Sequence, residues 1–260
     1  MNDRYQYNFS AGDVAREALY DEEGRTQKAR KLLAVLEHHL GSLAERSLLD
    51  ISCSTGIMTR VYAKEFRSVL GIDIDEGAVE FANAQARPEN LRFEVRDGLR
   101  TGLPDASFDV VSCTQMYEHV PDAQALMNEV HRVLKPGGVC YFGATNRLKL
   151  IETHYGRLPL LSVIPKPLAH VYLRVLGKAR FYYETHYTLW GLKKLVSKFE
   201  LIDYTRRIVA DPERFFATEM VTPGSVSQRA ALALIDFAYF LTPGYVWLLR
   251  KPMSPDPAST

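Results

Sequence analysis

Short apolar runs alternate with segments of helical spacing through the first 145 residues. Residues 29–43 carry Leu32, Leu33, Val35, Leu36, Leu40 and Leu43 near helical spacing, and Gly41 predicts a late break. Strands are expected at 47–51, 68–74, 91–95, 108–113 and 139–144. Helices are expected from the small-residue loop after residue 51 to about 66, and at 76–86 and 123–134. Parallel strands need a crossover to return, so this alternation specifies an α/β domain with parallel βαβ units. Both faces of such a sheet are buried, which explains unbroken apolar runs such as Val110-Val111. Ligands bind at the carboxyl ends of strands in these folds, so the chemistry is expected just after residues 51, 74, 95, 113 and 144.

The alternation stops at residues 146–187. That stretch is rich in Leu, Pro and Tyr and holds seven basic residues (Arg147, Lys149, Arg157, Lys166, Arg174, Lys178, Arg180) against Glu152 and Glu184, a local charge of 7 − 2 = +5. A long insertion over the ligand end of a sheet reads as a lid or cap. A helix at 188–198, a strand at 201–209, a helix at 226–241 and a last strand at 245–250 are expected to complete the domain. The divisions are thus an N-terminal helical lid at 1–45, a core at 46–145, an inserted substrate cap at 146–187, the rest of the core at 188–252 and a flexible tail at 253–260.

Composition narrows the class without naming a function. Of 260 residues, 47% are hydrophobic and 24% charged, which excludes disordered, collagen-like and disulfide-stapled chains. Thirty-two basic and 31 acidic residues leave +1, so no overall charge attracts nucleic acid. Cys53, Cys113 and Cys140 form no CxxC pair and sit in or beside apolar runs, which reads as buried, reduced thiols. Residues 1–10 are polar and aromatic rather than a signal peptide, so a cytoplasmic location is expected. The apolar stretch at 230–249 is interrupted by Asp236 and Thr242-Pro243-Gly244, which argues against a spanning helix.

Five motifs carry candidate chemistry. Leu48-Leu49-Asp50-Ile51-Ser52-Cys53-Ser54-Thr55-Gly56 is a strand, a loop of small residues and a helix start, where backbone N–H groups favour negative groups. It is neither GxGxxG nor a phosphate loop. Gly71-Ile72-Asp73-Ile74-Asp75 ends the second strand with an acid, which can accept from both hydroxyls of a ribose; alternatively Asp73 or Asp75 only caps the next helix. Arg96-Asp97-Gly98 follows the third strand. Asp105-Ala106-Ser107-Phe108-Asp109-Val110-Val111 leads to Gln115-Met116-Tyr117-Glu118-His119-Val120. Val133-Leu134-Lys135-Pro136-Gly137-Gly138 precedes the fifth strand.

In this order, over about residues 45–145, the set resembles the class I S-adenosylmethionine-dependent methyltransferases, most of all the branch with the ubiquinone-biosynthesis O-methyltransferases. The resemblance implies a doubly wound, Rossmann-like, seven-stranded, mostly parallel sheet with an antiparallel last strand and a helical cap. It implies S-adenosylmethionine as cofactor. Asp50, Ser52, Cys53, Ser54 and Gly56 would border its methionine part. Asp73 would hold the ribose, Ile74 would pack on the adenine, and Asp97 and Gly98 would meet the adenine edge. Thr114 and Gln115 would flank the sulfonium. One departure is that glycine usually stands where this chain has Ser52 and Ser54. If either position needs positive φ, a side chain costs roughly 1–2 kcal/mol there.

A hydroxyl acceptor benefits from a base. His119 is the first candidate, with capping of the helix near Pro121 as the plainer role, and His186 is the reserve. Tyr117, His154, Tyr155, Tyr183 and Tyr187 are candidate substrate contacts, and Thr185 or Thr188 a cap. Glu118-His119 also resembles the metal motif of some quinone O-methyltransferases, but Gln115 replaces a carboxylate there, so no metal is expected. Tyr5, Tyr7, Phe9 and Tyr20 close over the pocket or pack in the core. Arg16, Arg25, Lys28, Arg30 and Lys31 read as a solvated helix face. The basic cap suggests an apolar acceptor with an anionic part, or peripheral contact with an anionic membrane; a wet basic face is the alternative. The expected function is methyl transfer to a small lipid-like, isoprenoid, quinone or glycolipid acceptor, at oxygen before carbon or nitrogen. A cofactor-binding module without turnover and a cyclisation with the same cofactor are the rivals.

Overall fold

The computed structural model describes residues 19–253. Expectations on Tyr5, Tyr7, Phe9, Arg16 and the end of the tail lie outside them. The order is α1 (Glu22–Leu40), β1 (Ser47–Ile51), α2 (Ile57–Tyr62), β2 (Ser68–Asp73), α3 (Glu76–Ala84), β3 (Leu91–Val95), β4 (Phe108–Thr114), α4 (Ala123–Val133) and β5 (Leu134–Thr145). The hairpin β6 (Ile151–Glu152) and β7 (Leu158–Pro159) follows, then α5 (Lys166–Val175), α6 (Leu189–Leu195), β8 (Glu200–Asp203), α7 (Thr205–Ala210), α8 (Val226–Ala238), a 3₁₀ turn (Tyr239–Leu241) and β9 (Gly244–Arg250).

The seven-stranded sheet has the order β3-β2-β1-β4-β5-β9-β8, with β9 antiparallel to both its neighbours. This is the expected class I arrangement. Residues adjacent in a strand point to opposite faces. Leu48, Val110, Val139 and Leu248 therefore join one core, with Leu32 and Leu36 of α1. Leu49, Val111, Cys140 and Leu249 join the other, with Leu126, Met127 and Val130 of α4 and Leu192 of α6. Caps fix the helix starts: Asp21, Asp75, Asp122, Thr188 and Ser225 each accept from a backbone N–H of the first turn.

Three expectations change. The predicted strand at 201–209 is only the short β8; Asp203 accepts from the N–H of Thr205 at 2.8 Å and turns the chain into α7. The cap is a hairpin and one helix rather than all helix, closed by its own small core of Leu158, Leu161, Ala169, Leu173 and Tyr182. Asp122, not His119, caps α4, accepting from Ala125 N–H at 2.9 Å. All three cysteines are buried and free. No described helix is long and apolar enough to cross a membrane.

Candidate active site

The register of the sheet brings the motif ends together. Asp50 stands opposite Gly71 and Ser112, Asp73 opposite Val95, and Thr114 opposite Gly143. Their carboxyl ends open onto a cavity of about 810 Å³, within the roughly 300–1,000 Å³ usual for ligand sites. Asp50, Ser52, Cys53, Ser54, Asp73, Ile74, Asp97, Gly98, Thr114 and Gln115 all line it, and so do His119 and His154.

The first loop is held by backbone geometry. Ser52 (φ 84°), Ser54 (φ 51°) and Gly56 (φ 73°) are left-handed, so both serines occupy positions that favour glycine. Gln115 (φ 51°) is the third strained residue on the cavity wall. Such strain persists only where surrounding structure enforces it, and it concentrates at functional sites. Ser52 and Cys53 donate their N–H to Ile72 O at 2.8 and 3.0 Å, which ties the loop to β2. Gly56 does not line the cavity. It lies behind the loop, where a Cβ would come within 2.5 Å of Phe93 Cζ.

Asp73 and Asp75 divide the two roles open to them. Asp75 is the cap, accepting from Ala78 N–H at 3.2 Å. Asp73 accepts from Ser54 N–H at 2.8 Å and Asp75 N–H at 3.0 Å, and forms no ion pair among the described residues. Burial raises its pKa. Asp97, past the end of β3, accepts from Leu99 N–H at 2.8 Å. Asp50 is buried and accepts from Thr59 Oγ1 at 2.6 Å; burial lifts its pKa to about 6.

The histidines separate. Burial, reinforced by the nearby charges of His154 and His186, lowers the pKa of His119 to about 3, so its imidazole is neutral. His154 packs against it edge-to-face with 5.0 Å between centroids. Burial alone would lower His154, but its hydrogen bond to Glu152 (Nδ1 to Oε1, 2.5 Å) and the charge of that acid raise it. His186 does not line the cavity. Both its ring nitrogens are engaged, Nδ1 with Thr145 Oγ1 at 3.1 Å and Nε2 with Glu152 Oε2 at 2.9 Å, so the reserve base is a buried structural group.

Of the substrate candidates only His154 reaches the cavity. Tyr117 is buried, donates to Thr145 O and stacks on Tyr187 at 5.7 Å. Tyr155 donates to Glu184 Oε2 at 2.8 Å, and Tyr183 is exposed on the cap surface. None of the four lines the cavity; Tyr155, Tyr183 and Tyr187 belong to the cap, and Tyr117 packs against it through Tyr187. Thr185 accepts from Lys166 Nζ at 2.8 Å and leaves capping of α6 to Thr188.

The sequence reading missed two groups. Fully buried Glu152 accepts from Lys149 Nζ (3.0 Å), Tyr182 OH (2.8 Å), His154 and His186, and its pKa falls well below the usual carboxylate range although burial opposes this. Glu152 was visible as one of two acids in the basic cap. The second group is the opposite wall: Arg25, Lys28 and Lys31 of α1 with Met220, Val221, Leu234 and Ile235. The solvated-face expectation fails for Arg25 and Lys31, which are half-buried, whereas Lys28 lines the cavity and stays exposed. Arg25 stands four residues before buried Ala29, and Lys31 four before buried Val35, on the inward side of α1. Glu118, His119 and His154 each bring a ligand atom within 4.8 Å of the others, as do Glu152, His154 and His186.

Comparison with known proteins agrees with this architecture. Residues 49–142 match the family profile described as a methyltransferase domain. The ubiquinone biosynthesis O-methyltransferase of Idiomarina loihiensis is 31% identical over 135 residues, 49% of this chain and 56% of that protein, so the match spans little more than half the relative's length. The S-adenosylmethionine-dependent methyltransferase of Mesorhizobium loti superposes with a TM-score of 0.54 at 20% identity, over 85% of this chain and 97% of that one. The geranyl diphosphate C-methyltransferase of Streptomyces coelicolor A3(2), solved with Mg²⁺, geranyl diphosphate and S-adenosylhomocysteine, gives 0.52 at 18% identity, over 89% and 80%. Residues 49–142 thus match a methyltransferase domain, and the chain shares the seven-stranded class I fold of these solved structures.

Proposed function

We propose that this chain binds S-adenosylmethionine in the cavity and transfers its methyl group to a hydroxyl of a small apolar acceptor of the lipid, isoprenoid, quinone or glycolipid kind. One observation carries the reading. Two acids, Asp73 and Asp97, stand at the ends of paired neighbouring strands and line one cavity with Gln115 and two histidines. A half-buried acid such as Asp73, without an ion-pair partner among the described residues, suits a ligand rich in hydroxyl donors. Asp73 takes the ribose hydroxyls, Asp97 the adenine amine, and Ile74 the adenine face. Asp50 and the Ser52–Gly56 loop border the amino-acid end, where Arg25, lining the same cavity, suits its carboxylate.

S-adenosylmethionine, when bound, supplies an electrophilic methyl carbon on a sulfonium. The chain contributes position and proton handling. Much of the rate of such a displacement comes from holding the reacting atoms in line. His154 is the better base of the two cavity histidines. Glu152 holds its Nδ1 and keeps it basic, whereas protonating His119 in its buried setting is costly. His119 then positions the acceptor. The exposed apolar residues Leu168 (59%), Val171 (47%) and Val175 (78%) of α5, beside Lys166 and Arg174, support peripheral contact with an anionic membrane. Co-sedimentation with anionic phospholipid vesicles, lost in Val171→Asp/Val175→Asp, tests that part.

The direct test supplies isotopically labelled S-adenosylmethionine with a lipid extract and follows products by mass spectrometry. Products gaining one methyl group, absent with Asp73→Ala, support the enzyme. Cofactor binding without transfer to any component overturns it in favour of a binding module, and a rearranged product without added methyl points to another reaction.

A further inference from the structure

The cavity has a polarity that the cofactor does not use. Asp50, Asp73 and Asp97 lie at one end, with Arg25 drawn electrostatically to the first two. Farther along α1, Lys28 and Lys31 line the same cavity one turn apart. Among the described residues neither ammonium forms an ion pair. Lys31 Nζ donates only to the thioether sulfur of Met220, at 3.3 Å, and Glu219 acts on both lysines at longer range. Lys28 is exposed and Lys31 half-buried, and desolvation beside the cavity wall lowers the pKa of each. Beside them the wall is apolar: Met220, Val221, Leu234 and Ile235.

For Lys31, partly withdrawn from water, a cation is costly unless an anion meets it, while exposed Lys28 adds a second positive charge beside it. A thioether sulfur is a weak acceptor and does not supply that anion. The cost is offset when a ligand brings one. Resting on the functional reading above, we propose that Lys28 and Lys31 hold an anionic group, carboxylate or phosphate, of an acceptor whose apolar body lies on the Met220–Ile235 wall. The acceptor is therefore an anionic amphiphile rather than a neutral lipid. Cations at one end and acids at the other also orient it, because its charged end is repelled from Asp50 and Asp73.

The test measures binding of decyl phosphate, decanoate and 1-decanol by calorimetry, each with the full chain saturated with S-adenosylhomocysteine. Both anions, or one of them, bind the wild-type chain at least tenfold tighter than the alcohol, and the preference shrinks with added salt. In Lys28→Gln/Lys31→Gln the preference falls to within twofold while S-adenosylhomocysteine binds as before. Lys28→Arg/Lys31→Arg retains it. Equal binding of alcohol and anions by the wild-type chain overturns the proposal, as does a preference that survives in the glutamine variant. Failure of S-adenosylhomocysteine to bind at all overturns the functional reading instead, so the two failures are distinct.

Discussion

Replacing Ser52 and Ser54 by glycine isolates the energy stored in the cofactor loop. The two residues sit at φ 84° and 51°. An L side chain in that region costs roughly 1–2 kcal/mol, and glycine gives back about 0.5–1 kcal/mol through its greater freedom in the unfolded chain. The net gain is roughly 0.5–1 kcal/mol per site. Neither hydroxyl makes a hydrogen bond among the described residues, while the backbone bonds from Ser52 and Ser54 to Ile72 and Asp73 survive the change. The double variant should therefore be stabilised by about 1–2 kcal/mol, a rise in Tm of roughly 2–8 °C for a chain of this size. Calorimetric melting reads this directly. Ser52→Ala and Ser54→Ala are the controls, since they remove the hydroxyl and keep the Cβ, and their Tm should not rise. Titration with S-adenosylhomocysteine adds a second axis: a hydroxyl that contacts the cofactor makes the glycine variant more stable yet weaker in binding. Glycine variants that melt no higher than the alanine controls refute the strain argument.

Two further predictions concern buried acids. Asp50 has its pKa raised from 3.8 to about 6 in the fold, so the folded state holds a proton that the unfolded chain has lost between those pH values. Stability from this group is present below pH 4 and lost as pH rises to 6, by about 3 kcal/mol at 1.36 kcal/mol per pH unit. Asp50→Asn keeps the acceptor for Thr59 and should melt higher than wild type at pH 8 but not at pH 4; an equal difference at both pH values contradicts this. Glu152→Gln removes the charge that matches Lys149 in a fully buried site. Breaking such a pair costs about 3–5 kcal/mol, so its urea midpoint should fall sharply, and an unchanged midpoint would mean the network carries no weight.

Much of the core was legible because its signals are local. Strand runs such as 47–51 and 91–95 match their observed bounds, and the motif ends at Asp50, Asp73, Asp97 and Gln115 meet because parallel strands place their carboxyl ends side by side. The strand at 201–209 is shorter than its apolar pattern predicts, because Ile202, Ile208 and Val209 are apolar in any conformation while the turn at Asp203 depends on one hydrogen bond. The cap misled in another way. Its aromatic residues suggested a binding wall, yet Tyr155 donates to Glu184 and Tyr187 donates its backbone N–H to Tyr117 outside the cap. The lysines of α1 and the apolar wall formed by Met220, Val221 and α8 were illegible as a pair, since more than 180 residues separate Lys31 from Met220 and only the fold brings them into contact.

The central claim is that Asp73 and Asp97 together grip one adenosine. Isothermal titration of the full chain and of Asp73→Ala and Asp97→Ala with S-adenosylhomocysteine tests it directly. A hydrogen bond to a charged group contributes about 1.5–3 kcal/mol, so each variant should bind roughly 10–100-fold more weakly than a wild type that binds one molecule per chain. A folded wild-type chain that gives no binding heat at any temperature, or an Asp73→Ala chain that binds as tightly as wild type, would contradict the account.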